Sequence, residues 1–433
     1  MGKLIHAKNA GLFTRAAKEF GTPVYVYDEA TLIEKCRDVL AMPNAFGLHV
    51  RYAMKANSNR TLLRIVDRQG LLIDASSLNE ARRAHLAGIS LKKIMLTTQE
   101  VPEGEDRAEL ERMMLGGMKY NVCSLRQLRE IAEFAKENDI GLSMRIHPGV
   151  GAGESATRNT GDDYSCFGVH RNDLEEALAF ARGMGLRFNA VHTHIGSGGK
   201  PKIWRENIDR ELGFVKQYFP DADTVSFGGG LKEARMPDEI AADIEELGLY
   251  AKQRVEEFFE ETGRKLVMEI EPGTYVMANC GFLVTKVVDK KSTGENGFLF
   301  LIANGGMEVN TRPLLYGSRH PFYVVSQEGK LLSSDFDEST LSNRDELVVV
   351  GICCESGDSQ SLDEAGQIVP RRMREPEIGD LFVIGGTGAY CSAMSPFNYN
   401  SHTQIPEVLL TAGQELKLIR RRQTLEQIVE NEI

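Results

Sequence analysis

The sequence predicts an α/β barrel of eight parallel strand–helix units followed by an all-β domain, and three observations carry that reading. Between about residues 45 and 275, eight short β-rich runs alternate with amphipathic helical patterns. No Gly-x-Gly-x-x-Gly turn follows the first run, where an open dinucleotide-binding sheet would have one. After about residue 285 the long helical patterns stop, and strand-like runs are separated by turn residues.

The eight runs are 49–54 (HVRYAM), 71–75 (LLIDA), 93–97 (KIMLT), 119–123 (KYNVC), 141–147 (GLSMRIH), 188–194 (FNAVHTH), 224–228 (TVSFG) and 265–270 (KLVMEI). Between them lie helical patterns at Leu78–Leu86, Leu110–Met114 within a longer helix, Leu125–Glu137 and Leu174–Met184. Their apolar residues recur at spacings of three and four, the signature of one buried helix face. Alternating strands and helices imply parallel pairing with right-handed crossovers. Eight such units suit a closed barrel better than an open doubly wound sheet, which stays the alternative.

In the second half, Phe282–Val288, Phe298–Ile302, Phe322–Val325, Glu346–Gly351, Asp380–Ile384 and a final run at Glu407–Leu410 read as an antiparallel β domain. The charged end, Leu416–Ile433, reads as helical. The expected division is a barrel over 31–284 and a β domain over 285–433. An N-terminal segment over 1–30, with Pro23 and the run Val24–Tyr27, is expected to pack with the β domain.

The chain has 433 residues, 42% hydrophobic and 26% charged, which provides two well-packed domains and excludes a disordered chain. No apolar run approaches the ~18–20 residues of a membrane span. The start, Met1 to His6, lacks the apolar core of a signal peptide, so a cytoplasmic location is expected. A net charge of −11 argues against a nucleic-acid partner. Seven cysteines show neither a paired framework nor a Cys-x-x-Cys pattern; most read as small buried hydrophobes.

Active sites of such barrels sit at the C-terminal strand ends, and several polar residues fall there. Lys55 follows run 49–54, Asp74 ends run 71–75 and His194 ends run 188–194. Gly228-Gly229-Gly230 closes run 224–228, and Glu271 follows run 265–270. Singly each has a bland explanation: a solvated lysine, a satisfied histidine, a tight turn. Five arriving at one rim favour a site. Glycines let backbone N–H groups approach a phosphate, a desolvated lysine forms a Schiff base with an aldehyde, and a carboxylate can keep a pyridine nitrogen protonated. Together these are the parts of a pyridoxal phosphate site. A metal site ranks low, because His147, His192 and His194 lack supporting carboxylate or cysteine spacing, although His192 and His194 share one strand face.

Over nearly its whole length the sequence resembles the fold-type III pyridoxal phosphate decarboxylases, whose fold is an alanine racemase-like barrel followed by a β domain. Tyr52-Ala53-Met54-Lys55-Ala56-Asn57 resembles the cofactor-lysine motif. His194-Ile195-Gly196-Ser197 resembles the segment whose histidine stacks on the ring and whose serine reaches the phosphate. Gly228-Gly229-Gly230 matches the phosphate loop and Glu271-Pro272-Gly273 the ring-nitrogen segment. Arg312-Pro313-Leu314-Leu315-Tyr316-Gly317 resembles the substrate stretch, Cys354-Glu355-Ser356-Gly357-Asp358 a loop lent across a dimer interface, and Gly388-Ala389-Tyr390 the tyrosine motif. Asn398-Tyr399-Asn400 and an Arg420–Arg422 helix also fit.

The resemblance implies pyridoxal 5'-phosphate as cofactor, bound by Lys55, Asp74, His194, Ser197, Gly228, Gly229, Gly230, Glu271, Gly273 and Tyr390. It implies Lys55, His194, Glu271 and Cys354 as catalytic groups, with Cys354 donating a proton, and Arg312, Tyr316, Glu355 and Tyr390 as substrate contacts. It also implies a homodimer, an amino-acid substrate, and no metal. The activity it implies is decarboxylation of meso-2,6-diaminopimelate to L-lysine. The alternatives are decarboxylation of lysine, ornithine, arginine or carboxynorspermidine, a silent binding homologue, or a racemase. Cys353, beside Cys354, reads as inert core. The sequence departs from the family at Thr274, where arginine usually follows Glu-Pro-Gly, and at His402-Thr403-Gln404, where Arg-Pro is frequent. Arg145 and Arg319 are the cations considered to cover for Thr274.

Overall fold

The computed structural model of the chain describes residues 10–151, 160–162, 165–197, 200–341 and 346–433. The segment Met1 to His6, read above for a leader, lies outside them. Strand β1 (Val24–Asp28) comes first in the chain. Then follow β2 (Leu48–Ala53), β3 (Leu72–Ala75), β4 (Ile94–Thr97), β5 (Lys119–Val122), β6 (Leu142–Arg145), β7 (Phe188–His192), β8 (Thr224–Ser226) and β9 (Val267–Ile270). These eight form a closed barrel in chain order, all parallel, with β9 paired back to β2 through Leu48↔Met268 and Val50↔Ile270. The open-sheet alternative is thereby excluded.

Helices occur at Leu78–Leu86 and Leu125–Glu137, where the periodicity places them. Ser77 and Ser124 start them by accepting the N–H groups of Glu80 and Gln127 at 3.0 and 3.1 Å. The inward stripe of the second, Leu128, Ile131, Ala132 and Ala135, is buried. One compact unit, Ile33–Lys232 with Ala241–Val276, holds this barrel. The other holds Glu233–Ile240, Met277–Ile433 and the described residues up to Leu32.

The second unit is built on a ten-stranded sheet. Its strands after β1 are β10 (Gly281–Ser292), β11 (Leu299–Ala303), β12 (Phe322–Val325), β13 (Leu331–Ser334), β14 (Glu346–Val350), β15 (Arg371–Arg372), β16 (Leu381–Ile384), β17 (Glu407–Leu410) and β18 (Leu416–Arg420). The main path runs β13-β12-β16-β10-β1-β17-β18, and β11, β14 and β15 continue from β10. The helix Ala10–Phe20 lays Phe13 edge-on against Phe282, with centroids 5.4 Å apart. Val24, Val26, Val284, Val383 and Val408 complete that core.

Two expectations are corrected. The sheet is mixed rather than antiparallel, because β1 pairs parallel with β17 and β11 parallel with β14. Those partners come from distant parts of the chain and are selected by burial, not by local hairpins, so turn signals could not show their direction. The tail is not one helix either. Leu416–Arg420 is a strand paired with Glu407–Leu410, and only Leu425–Val429 is helical. A ready sheet edge outweighs the weak helical preference of that charged stretch.

Candidate active site

The barrel collects its ionisable residues at the C-terminal ends of its strands. Lys55 lies in a single turn of 3₁₀ helix, Met54–Ala56, directly after β2. Buried Tyr52 donates its hydroxyl to the Asn57 carbonyl at 2.9 Å and so staples that turn. Asn57 Oδ1 accepts from Asn59 N–H, and Asn59 caps the helix Arg60–Arg68. The motif around the lysine is thus a brace that leaves Lys55 itself exposed.

Glu271, just past β9, is 6% exposed. Its Oε2 lies 2.9 Å from Nε2 of His192, the last residue of β7. Its Oε1 is buried and has no hydrogen-bond partner among the described residues. Burial, and then the neighbouring Glu269, push the Glu271 carboxyl up to about 7, against the pull of Lys55 and Arg145. Burial drives His192 down to about 3, so its imidazole is neutral, and its Nε2 shares a hydrogen bond with the Glu271 carboxyl. Asp74 on β3 is almost fully buried; desolvation and Glu271 raise it to about 8.

His194 lies two residues beyond the end of β7, so the strand is shorter than the sequence reading had it. Its ring is nearly parallel to that of His192, at 11° with centroids 6.5 Å apart. Its Nδ1 accepts the Gly229 N–H at 2.9 Å. Burial first, then Arg145 and Lys55, hold its pKa well below the ordinary value. The imidazole is neutral, and its proton resides on Nε2.

The triple glycine follows from contact distances. A Cβ on Gly228, at φ +66°, would overlap the Thr193 carbonyl oxygen. One on Gly229 would lie 2.7 Å from the Glu271 carbonyl oxygen and 2.9 Å from His194 Cε1. One on Gly230, at φ +94°, would lie 2.8 Å from the Gly196 carbonyl oxygen, beside partly buried Ser197. Only glycine lets this backbone lie against the His194–Ser197 segment. Buried Gly273 follows Glu271 and Pro272, whose carbonyl accepts the Ala53 N–H at 3.3 Å. The structure thus brings Lys55, Asp74, His194, Ser197, the three glycines, Glu271 and Gly273 to one rim of the barrel unit.

These residues fit pyridoxal phosphate. Glu271 Oε1 is an orphaned buried acceptor of the kind a protonated ring nitrogen satisfies. A glycine turn after a barrel strand can present backbone N–H groups to a phosphate, and the exposed amine of Lys55 is the nucleophile an aldehyde requires.

The remaining sequence-identified residues lie in the second unit. Arg312, 5% exposed, opens the short helix Arg312–Tyr316; its Nη2 donates to Ser318 Oγ at 3.2 Å. Its guanidinium lies over the Tyr316 ring at 5.8 Å, and the Tyr316 hydroxyl is 3.6 Å from Met394 Sδ. Tyr390 adopts φ +60°, a left-handed conformation uncommon for a tyrosine. Cys354 is exposed, its N–H donating to Asn400 Oδ1 at 2.9 Å. Glu355 is exposed and accepts from the Tyr399 hydroxyl at 3.1 Å. Of the two cations considered for Thr274, Arg319 is ion-paired with Asp238 at 2.8 Å. Arg145 is buried at the end of β6, and its charge acts on His192, His194 and Glu271.

The sequence alone offers His192 only as a metal-ligand candidate and does not pair it with Glu271. The two are 79 positions apart and meet because β7 and β9 end on the same rim. Two histidines alternating along one run were the available signal. The Arg420–Arg422 helix also fails: Arg420 ends β18 and donates to the Ile405 carbonyl at 2.9 Å.

The family described as pyridoxal-dependent decarboxylase, pyridoxal binding domain, matches residues 30–278. A diaminopimelate decarboxylase of Escherichia coli (strain K12) is 34% identical over 97% of this chain and 96% of that protein. A crystal structure of diaminopimelate decarboxylase aligns over 100% of this chain and 98% of its own, with TM-score 0.88 and 30% identity. A Helicobacter pylori diaminopimelate decarboxylase complexed with L-lysine aligns over 97% and 99%, with TM-score 0.81 and 26% identity.

Proposed function

Because the chain belongs to the pyridoxal-dependent decarboxylase family, and within it groups with the diaminopimelate decarboxylases, we propose that it decarboxylates meso-2,6-diaminopimelate to L-lysine, the closing step of lysine biosynthesis. The observation that carries the reading is the convergence of Lys55, the His194–Gly229 hydrogen bond and the orphaned Glu271 Oε1 on one barrel rim. It is joined to identity of 34% over almost the full length of a curated relative.

Pyridoxal phosphate, joined to a lysine through its aldehyde, supplies an electron sink for the pair left when carbon dioxide departs. Lys55 Nζ is the residue assigned to that bond. Ser197 and the N–H groups of Gly228 and Gly230 would bind the phosphate, with Gly229, whose N–H is held by His194 Nδ1, shaping the turn between them. Glu271 Oε1 would hold the proton on the ring nitrogen, while His192 fixes the other carboxylate oxygen. The neutral His194 ring, tethered by Gly229, would cover one face of the cofactor. Asp74, Gly273 and Tyr390 are assigned to the same set. After carbon dioxide leaves, Cys354 Sγ would deliver a proton to the α-carbon, and Arg312, Tyr316, Glu355 and Tyr390 would hold the substrate.

The enzyme is proposed to work as a cytosolic homodimer in which each Cys354 serves the partner's barrel. Supporting this, Cys354 and Glu355 are exposed, with apolar Leu314 (39%), Leu315 (52%) and Ile352 (40%) also uncovered near them in the fold; a Cβ on Gly357 would lie 2.8 Å from Leu314. No described helix is long and apolar enough to cross a membrane.

The test is carbon dioxide release from a panel of meso-diaminopimelate, lysine, ornithine, arginine and carboxynorspermidine. Diaminopimelate should lead in kcat/KM. Preference for a substrate lacking the second carboxylate would refute the assignment.

A further inference from the structure

In the β unit, two segments that carry candidate substrate residues are joined through buried side chains. The first runs from Gly305 to Arg312, and the second from Gly351 to Gln360. Asp358, 3% exposed, belongs to the second and reaches the first with its side chain. Its Oδ1 accepts the Met307 N–H at 2.6 Å, and its Oδ2 accepts the Cys353 N–H at 2.7 Å. One carboxylate thus accepts a backbone N–H hydrogen bond from each segment. Glu308, also buried, accepts the Gly306 N–H at 2.9 Å through the same Oε2 that lies 3.3 Å from Cys353 Sγ. Asn310 Nδ2 donates to Gln360 Oε1 at 2.8 Å.

The fit leaves no slack. A Cβ on Gly306 would overlap Asp358 Oδ1, and one on Gly351 would lie 2.5 Å from Asp358 Oδ2. Burial, with Glu308 and Asp358 beside it, pushes the Cys353 thiol up, so it stays protonated and can donate to Glu308. Ligand-type atoms of Glu308, Cys353 and Asp358 lie within 4.8 Å of one another, as metal ligands do. Both Asp358 oxygens and Glu308 Oε2 already accept N–H donors, however, and that is the arrangement of a clamp.

We propose that Asp358, assisted by Glu308, is a positioning residue that fixes the loop bearing Cys354 and Glu355 against the segment ending at Arg312. The inference rests on the functional reading above for the roles of those three residues. A charge-assisted acceptor bonded to both segments sets their separation, and a displacement of about 1 Å in such a set can cost up to about a hundredfold in rate.

The test uses full-length holoenzyme carrying Asp358→Asn, which keeps the shape but turns one acceptor into a donor facing an N–H group. Hydrogen exchange of peptides covering 305–312 and 351–360 is measured beside kcat, KM and cofactor absorbance. The expected result is faster exchange in both peptides, a fall in kcat/KM of about tenfold or more and unchanged cofactor absorbance. Asp358→Glu should not rescue, because Gly306 and Gly351 leave no room for a longer side chain. If Asp358→Asn fails to fold, Glu308→Gln carries the test; it keeps an acceptor for Gly306 and should give the same pattern more weakly. Unchanged exchange in both peptides, or faster exchange with full activity, would overturn the proposal. So would a stoichiometric transition metal in wild-type enzyme that Asp358→Asn loses. Wild-type inactivity on the whole substrate panel would instead sink the functional reading, and the exchange measurements separate the two failures.

Discussion

At the scale of single residues, the barrel rim stores protons that its unfolded chain would release. Asp74 is held up to about 8 in the fold against an ordinary 3.8, and Glu271 up to about 7 against 4.5. A carboxyl whose folded value is raised stabilises the fold fully below its unfolded value and loses that contribution as pH rises through the folded one. His192 acts in the opposite sense: its folded value of about 3 against 6.5 gives stability that is lost as pH falls. Above pH 6.5 only the carboxyl contributions still change. The melting temperature of the ligand-free protein is therefore expected to fall between pH 6.5 and 8, and Asp74→Asn should flatten that slope. A profile rising over that range would show the carboxyls to be ionised in the fold. At this scale the sequence was informative where chemistry is local, as for Lys55 and the three glycines. It was silent on the His192–Glu271 pair, because separation along the chain says nothing about which strand ends share a rim.

At the scale of elements, the barrel depends on a buried ion pair and a glycine turn. Arg51 on β2 meets Glu269 on β9, two residues before Glu271, at 2.7 Å, both almost fully buried. Arg51→Met should destabilise by about 3–5 kcal/mol in urea unfolding, because Glu269 is left buried and unpaired. The double variant Arg51→Met/Glu269→Leu should recover most of that loss; failure to recover would mean the pair does more than neutralise itself. In the turn after β8, Gly228→Ala imposes a side chain at φ +66° and a clash with Thr193. We expect a cost of about 1–3 kcal/mol and weaker cofactor binding in a pyridoxal phosphate titration. Strand positions were readable in both units because hydrophobic runs mark them locally. Strand direction in the second sheet and the tail's choice of strand over helix were not, since both depend on a partner from elsewhere in the chain.

At the scale of the whole molecule, the proposed homodimer makes a specific prediction about mixed subunits. Lys55→Ala and Cys354→Ala should each be inactive alone. If Cys354 serves the partner's barrel, mixing and re-equilibrating the two variants restores one intact site in each heterodimer. Activity should return to roughly a quarter of wild type, the statistical yield for a twofold assembly. No recovery after verified subunit exchange would place both residues in the same protomer's site. Oligomeric state had no local signature in the sequence beyond the loop motif at Cys354, because an interface is a property of folded surface.

Lys55 is the residue proposed to be joined to the cofactor. Borohydride reduction of the holoenzyme, followed by digestion and mass spectrometry, locates the pyridoxyl group directly. It should be found on Lys55 alone, and Lys55→Ala enzyme should carry none. A label on another lysine, such as Lys35 or Lys119, or no label on active wild-type enzyme, would contradict that assignment.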